Sequence, residues 1–250
     1  MNAPGIAVVI VTRDRPHLLA DALYGVARQS AAPGEVRIGD DGAVPVQVPD
    51  DLGLLEVTIV PCGEHRSATA RNRTVAGSSA EVLAFLDDDD RWRPDHLSGF
   101  AAAFTDPAVR FAWRDCVVVR EEIGAGGVRR DRESLVIARD WDDDMMRDND
   151  YLPPSAWAVR RSLFDELHGF DESFAFSEDW DFVLRAAAVT RPRRVPGVTV
   201  EVRMRDHGNA SADFGPERLD CLRRLAERHG LPPLEPRTFW EVAQHVAAAR

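Results

Sequence analysis

The chain of 250 residues contains no lysine, since all 31 of its basic residues are arginine. This absence excludes mechanisms that need a phosphate-loop lysine or a lysine Schiff base. Residues 8–16, which follow the start of the first apolar run, also contain no glycine. A dinucleotide oxidoreductase would need a Gly-x-Gly-x-x-Gly turn there, and a nucleotidyltransferase would need a glycine-rich basic loop. Both classes are therefore disfavoured.

Cysteines and long hydrophobic runs are also scarce. Cys62, Cys116 and Cys221 are odd in number and lie far apart, so they fit no metal-ligand spacing and favour a reducing compartment. No apolar run approaches the roughly 20 residues that a membrane-spanning helix needs. The N-terminal residues lack the basic start and cleavage site of a signal peptide. We therefore expect a cytoplasmic protein without a transmembrane segment.

Acidic residues outnumber basic ones, and the formal net charge is −11. Binding to a nucleic-acid polymer requires a basic surface, so the charge argues against such a partner. It does not argue against a single nucleotide bound at one local site. Apolar residues make up 44% of the chain and charged residues 29%, which is typical of a globular enzyme.

Short apolar runs alternate with helical patterns along the first half of the chain. Residues 7–11 (AVVIV) are apolar throughout, as in a strand buried on both faces. The acidic segment 141–150 is predicted to be a surface loop. The alternation predicts an α/β fold whose ligand lies at the carboxyl ends of parallel strands. Further strands are predicted at 36–38, 55–60, 82–86 and 110–120, and helices at 16–27, 67–75, 95–104, 161–167, 178–189 and 216–228.

Four consecutive carboxylates, residues 87–90, directly follow the apolar run VLAFL. Carboxylates gathered at the end of a buried strand repel one another. A divalent cation such as Mg²⁺ or Mn²⁺ removes that repulsion, because it prefers oxygen ligands and commonly binds diphosphate oxygens as well. The alternative is an acidic cap on the next helix, which normally uses only one or two acids. The cluster therefore favours a metal site.

The segment AFLDDDDRWRPDHL resembles the metal-binding Asp-X-Asp motif of the inverting family 2 glycosyltransferases with the GT-A fold. Other segments resemble this family in the same order, namely VVIVTRDRPHLLADALYGVARQS, VRIGDDGA, ATARNRTVAGSSAEVLAFLDDDD and GFDESFAFSEDWDFVLRAA. The resemblance implies a GT-A type nucleotide-diphospho-sugar transferase fold, with a mostly parallel central sheet flanked by helices. We expect one domain over residues 1–250. Residues 1–105 would bind the nucleotide sugar, 106–212 would face the acceptor, and 213–250 would form a C-terminal helical segment.

The resemblance implies that Thr12 and Asp41 contact the ribose and the nucleobase. A carboxylate at position 41 can accept the imide N–H of uracil or thymine, which favours UDP or dTDP. This chain has TRDRP where the family has a Thr-Tyr-Asn-Arg type of run. The aromatic residue that stacks on the base is therefore replaced by Arg13. The alternative for Asp40 and Asp41 is an Asx turn before Gly42.

The resemblance also implies how the diphosphate and a divalent cation, Mn²⁺ or Mg²⁺, are held. Asp89 is the implied direct metal ligand, Asp87 lies toward the ribose, and Asp88 assists. Arg71 is expected to reach the nucleotide with its planar guanidinium. His207 lies on a loop that closes over the diphosphate, where it would complete the metal shell; a structural role is the alternative.

The segment Ser-Glu-Asp-Trp-Asp at residues 177–181 supplies the implied catalytic acids. Asp179 is expected to be the base that takes the proton of the acceptor, and Glu178 to orient the acceptor or a neighbouring group. Trp180 would stack on a sugar or belong to the core. The alternative for the acids is favourable charge at a helix N-terminus. One direct displacement would invert the anomeric configuration.

Three other hypotheses remain open at this point. A non-catalytic nucleotide- or sugar-binding protein of the same fold would retain the shape without the chemistry. A glycosidase would also use two carboxylates, but it needs neither metal nor nucleotide. Leu219, Leu222 and Leu225 have near-helical spacing, which raises the hypothesis of a homodimer through that face. The acceptor, either a small molecule or a glycan, is not identified by any motif.

Overall fold

The computed structural model describes residues 4–124, 129–205 and 209–249. These residues form an α/β structure around one mixed sheet. The strands are β1 (Ile6–Thr12), β2 (Glu35–Asp40), β3 (Val57–Pro61), β4 (Val82–Asp87), β5 (Arg91–Trp92), β6 (Phe111–Ile123), β7 (Arg129–Ile137), β8 (Trp157–Arg160) and β9 (Arg193–Met204). The helices are α1 (Pro16–Ala27), α2 (Ser67–Ala76), α3 (His96–Ala103), α4 (Asp143–Asp148), α5 (Arg161–Glu166), α6 (Glu178–Val189), α7 (Pro216–His229) and α8 (Phe239–Ala248).

The strands follow the order β3-β2-β1-β4-β8-β6-β9-β5, and β7 pairs with β6. The first four strands along this order are mutually parallel. Their register places Thr12 beside Asp40 and Val11 beside Asp87. The carboxyl ends of β1, β2 and β4 therefore meet at one edge of the sheet, where open α/β sheets bind ligands.

The second half of the chain extends the sheet by mixed pairing. Strand β8 lies between β4 and β6 and is antiparallel to both, whereas β9 is parallel to β6. The β4–β8 pairing joins the two halves of the chain through one continuous sheet. This pairing brings the loop before β8 and the start of α6 to the acidic end of β4.

An aromatic cluster fills the core behind this junction. Trp157 of β8 stacks on Phe182 of α6 with a ring-centroid distance of 5.5 Å, and it contacts Phe85 of β4 at 4.8 Å. Phe170 packs against Phe85 and Phe182 as well. These rings are almost fully buried. Because aromatic side chains bury large areas, the cluster fixes the position of α6 relative to β4.

The strands and helices predicted in the first half are confirmed, with small differences at their ends. The prediction of a surface loop at residues 141–150 is wrong, since α4 lies there. Asp142 caps this helix by accepting the Met145 N–H, and Met145 and Met146 are buried. The two methionines give this short helix an apolar face within an acidic run, and that face packs against the core.

The leucines of α7 do not form a free face. Leu222 and Leu225 are 3% and 0% exposed and belong to the core, while Leu219 alone is 46% exposed. The homodimer hypothesis therefore loses its structural basis at this helix. Within the described residues, none of the helices has both the length and the apolar character needed to cross a bilayer.

Candidate active site

A cleft of about 670 Å³ opens at the carboxyl ends of the parallel strands. Its walls come from β1, β4, the start of α6, the loop before β8, and the segment that carries α7 and α8. His207, the implied second metal ligand, lies outside the described residues. The sequence-predicted residues that line the cleft are Thr12, Asp41, Arg71, Asp87, Asp88, Asp89, Glu178 and Asp179.

Arg71 bridges the two sides of this cleft. Its Nη2 donates to Asp87 Oδ1 over 2.7 Å, and its Nη1 donates to Glu178 Oε1 over 2.5 Å. The side chain is only 10% exposed. Burial lowers the pKa of Arg71, but the charges of Asp87 and Glu178 more than offset this, and the guanidinium stays charged. Arg71 thus joins α2, β4 and α6 in one buried ion network.

Glu178 lies at the first turn of α6 and is almost fully buried. Burial, opposed by Arg71 and reinforced by Asp179, raises the pKa of Glu178 to about 7. Its Oε1 accepts the hydrogen bond from Arg71 Nη1. The orienting role expected for Glu178 stays a prediction.

Asp88 and Asp89 are held by two arginines and a threonine. Thr12 Oγ1 donates to Asp88 Oδ2 over 2.6 Å, and Arg15 Nη1 lies 3.3 Å from a carboxylate oxygen of each aspartate. Arg205 Nη2 donates to Asp89 Oδ2 over 2.6 Å. Burial and the neighbouring Asp89 raise the pKa of Asp88 to about 6. Both arginines were missed in the sequence, because nothing local connects them to the acidic run.

Asp90, the fourth acid of the run, has a structural role that the sequence did not reveal. It accepts the Ser155 hydroxyl over 2.6 Å and the backbone N–H of Arg203 over 3.0 Å. Burial, reinforced by Asp89 and Asp87, raises the pKa of Asp90 well above its usual range. The residue ties the end of β4 to β9 and to the loop before β8.

The donor set suits a hard cation that shares its shell with a diphosphate. Within the described parts of the chain, no group of three or more His, Cys, Asp or Glu side chains is placed to hold a metal ion. Mg²⁺ commonly takes one or two carboxylates and completes its shell with substrate phosphates and water. Arg205 Nη1 is buried and has no hydrogen-bond partner among the described residues, so a donor for an anion lies next to Asp89.

The Asp-Asp-Gly turn at the end of β2 is held by backbone hydrogen bonds to both aspartates. Asp41 is 3% exposed, and its Oδ1 accepts the backbone N–H groups of Glu64 and His65 over 2.8 and 2.9 Å. Asp40 Oδ1 accepts the Gly42 N–H over 3.2 Å, which is the Asx turn considered as an alternative. The two aspartates therefore differ, because only Asp41 lines the cleft.

Asp179 is half-buried at the start of α6, where its Oδ1 accepts the N–H of Trp180 over 2.9 Å. Ser177, just before this helix, has a left-handed φ of 62°, which turns the chain abruptly into α6. Trp180 is buried, and its indole N–H donates to the Met146 carbonyl over 2.9 Å. The core role is thus the one observed for Trp180, although its edge also lines the cleft.

The far wall of the cleft comes from residues that had no sequence motif. Asp150 lines it, and burial, reinforced by Asp179 and Glu178, raises the pKa of Asp150 well above its usual range. Arg237 pairs with Asp148 over 3.0 Å, which attaches the segment before α8 to the end of α4. The Thr238–Glu241 capping box at the start of α8 was a readable signal that the sequence prediction overlooked.

Solved structures place this architecture in a known fold class. A structure of S. aureus TarS 1-349 in complex with UDP-GlcNAc superposes with a TM-score of 0.58 at 17% identity, covering 98% of this chain and 71% of that one. This chain covers 39% of the longer S. aureus TarS chain. The fold is that of the GT-A type nucleotide-sugar transferases.

Sequence relatives define the family within that class. The family model for glycosyl transferase family 2 matches residues 7–168. An uncharacterized glycosyltransferase of Bacillus subtilis (strain 168), YwdF, is 33% identical over 240 residues, or 94% of this chain and 87% of that protein. The validoxylamine A glucosyltransferase of Streptomyces hygroscopicus subsp. limoneus is 35% identical over 115 residues, or 43% of this chain and 25% of that protein. The chain belongs to glycosyltransferase family 2.

Proposed function

We propose that this glycosyltransferase uses a divalent cation and moves a sugar, with inversion, from a nucleoside-diphosphate donor to a small-molecule or glycan acceptor. The observation that carries the proposal is the Arg71 bridge. It holds Asp87, at the donor end of β4, and Glu178, beside the expected catalytic base, within one cleft. A donor and an acceptor bound on the two sides of this bridge would meet in front of Asp179.

The donor half of the proposal rests on residues 1–105. Asp41 has one carboxylate oxygen fixed by two backbone N–H groups, which leaves Oδ2 to accept the imide N–H of uracil or thymine. UDP or dTDP is therefore the favoured nucleotide. Thr12 and Asp87 would face the ribose, Arg71 would reach the nucleotide with its guanidinium, and Asp88 would assist.

Asp89 is the residue we propose to bind Mn²⁺ or Mg²⁺, together with diphosphate oxygens and with His207. The cation would offset the negative charge of the departing diphosphate. Arg15 and Arg205, which neutralise Asp89 in this structure, would be left to contact the diphosphate as well. At this end of the cleft, the side chains of the protein would therefore bind the diphosphate and balance its charge.

Asp179 is the proposed base. It would take the proton of an acceptor hydroxyl while that oxygen bonds to the anomeric carbon and the bond from that carbon to the diphosphate oxygen breaks. Such a displacement in one step inverts the configuration. Glu178 would hold Arg71, and through it Asp87, in register with Asp179.

The acceptor would bind within residues 106–212 and against the helical segment 213–250, in one domain over 1–250 that we expect in the cytoplasm. Asp148, Asp150, Glu235, Arg237 and Phe239 line this side of the cleft. The carboxylates among them can accept hydrogen bonds from hydroxyl groups, and Phe239 adds an aromatic ring. A sugar-like acceptor would use both kinds of contact. One relative carries the name validoxylamine A glucosyltransferase, which supports the small-molecule alternative.

Calorimetry with UDP, dTDP and GDP tests the donor half. We expect one pyrimidine nucleotide to bind in the presence of Mn²⁺, and EDTA or Asp89→Ala to weaken that binding at least about tenfold, because a shared cation links Asp89 to the diphosphate. Asp220→Ala is the matched control, since Asp220 pairs with Arg223 on the exposed face of α7. Binding of no nucleotide under either condition would contradict the proposal.

A further inference from the structure

His65 is joined to the nucleobase end of the cleft by two hydrogen bonds. Its backbone N–H donates to Asp41 Oδ1 over 2.9 Å, and its ring Nδ1 lies 3.1 Å from the Asp41 carbonyl oxygen. The residue is exposed and lines the cleft. A ligand that contacts the buried Asp41 carboxylate must therefore pass close to the imidazole ring.

The backbone at His65 is one that glycine would occupy at lower cost. Its φ is +56°, in the left-handed region that most L-residues adopt rarely and histidine adopts more often. The ring is exposed, and the two hydrogen bonds to Asp41 hold the residue in this turn. The turn and these hydrogen bonds together fix the position of the ring at the wall of the cleft.

Position 13, where the family resemblance predicts a stacking aromatic residue, holds Arg13. Arg13 also lines the cleft, but its side chain is aliphatic up to the guanidinium. A planar ring at position 65 would supply a face on which a base can pack, and base–ring stacking tolerates different ring types.

We propose that the imidazole ring of His65 packs on the nucleobase of the donor while Asp41 accepts the imide N–H of the base, so that the two residues form one base-recognition unit. This inference rests on the proposed function. It adds a base-binding residue that lies outside the motifs of the sequence.

The test compares two substitutions at this position by calorimetry with Mn²⁺ and whichever of UDP or dTDP binds the unmodified protein more tightly. His65→Asn removes the ring but tolerates a left-handed backbone. His65→Phe keeps a ring and loses only the side-chain hydrogen bond to the Asp41 carbonyl oxygen. His168→Asn is the matched control, because His168 is also exposed, has a φ of +58° and does not line the cleft.

We expect His65→Asn to weaken nucleotide binding about fivefold to tenfold, His65→Phe to stay within about twofold of the unmodified protein, and His168→Asn to have no effect. Thermal melting would verify that all variants are folded. Unchanged binding in His65→Asn, or an equal loss in both His65 variants, would overturn the ring-packing proposal alone. Failure of the unmodified protein to bind any nucleotide would instead overturn the proposed function.

Discussion

The charge of the acidic run is balanced by residues from distant parts of the chain. Residues 87–90 were predicted as a group because they are adjacent in sequence, and all four are found at the cleft or beside it. Their partners could not be predicted. Arg15 follows β1 and Arg205 follows β9, so both lie beside Asp89 only because the fold brings the ends of these strands close to the end of β4. Which acid faces a ligand and which one ties strands together is therefore decided by tertiary structure.

The raised pKa of Asp88 predicts how the stability of the fold depends on pH. A carboxylate whose pKa is raised in the folded state, here from 3.8 to about 6, adds stability below its unfolded pKa and loses it as the pH rises through about 6. We expect Asp88→Asn to become more stable relative to the unmodified protein as the pH rises from 4 to 7. The difference in the free energy of unfolding should grow by roughly 2 kcal/mol, and the difference in melting temperature should grow with it.

Thermal melts in EDTA at several pH values would measure this difference. Asp220→Asn is the control for removal of an exposed carboxylate, and it should follow the unmodified protein at every pH. An Asp88→Asn variant whose melting temperature runs parallel to that of the unmodified protein over this range would contradict the argument. Glu178, whose pKa is raised to about 7, affects stability in the same direction in both proteins, so it does not account for a difference between them.

At the scale of elements, buried segments were predictable and edge segments were not. Strands β1 and β4 are apolar up to their last residues, Thr12 and Asp87, so their patterns are unambiguous. Among the described residues, strand β7 pairs with β6 alone, and its sequence RRDRESLVI is mostly charged, which is typical of a sheet edge. Strand β9 carries a proline and a glycine within its length, which interrupt the strand pattern.

Helix α6, which carries the proposed base, is attached to α7 through one buried aspartate. Asp181 is fully buried and accepts hydrogen bonds from Arg185 Nε over 2.7 Å and Arg228 Nη1 over 3.0 Å. Its Oδ1 also lies 2.9 Å from His229 Nε2. Burial raises the pKa of Asp181, but His229 and Arg185 more than offset this and lower it.

We expect Asp181→Ala to lower the free energy of unfolding by about 3 kcal/mol, because two arginines and a histidine lose a shared buried partner. Urea denaturation would measure the change. Asp220→Ala, which breaks an exposed pair on the same helix α7, should cost less than about 1 kcal/mol. Equal effects of the two substitutions would show that Asp181 does not hold α6 and α7 together.

At the scale of the whole molecule, the sequence indicated the proposed donor half better than the proposed acceptor half. The proposed donor half is built from consecutive strand–helix units, whose carboxyl ends necessarily share one edge of the sheet. The proposed acceptor wall combines the end of α4 with the segment before α8, almost 90 residues further along the chain. No local pattern encodes that contact, so the acceptor remains defined only by the shape and charge of the cleft.

The most direct test of the central claim is the release of UDP or dTDP from a panel of nucleotide sugars in the presence of Mn²⁺, with water or added sugars as acceptor. We expect the protein to consume a donor, and Asp179→Asn to lower that rate about 100-fold or more while calorimetry gives the same nucleotide affinity. Asparagine keeps the oxygen that accepts the Trp180 N–H, so the start of α6 should be preserved. Nucleotide binding without consumption of any donor, or an Asp179→Asn variant as fast as the unmodified protein, would contradict the account.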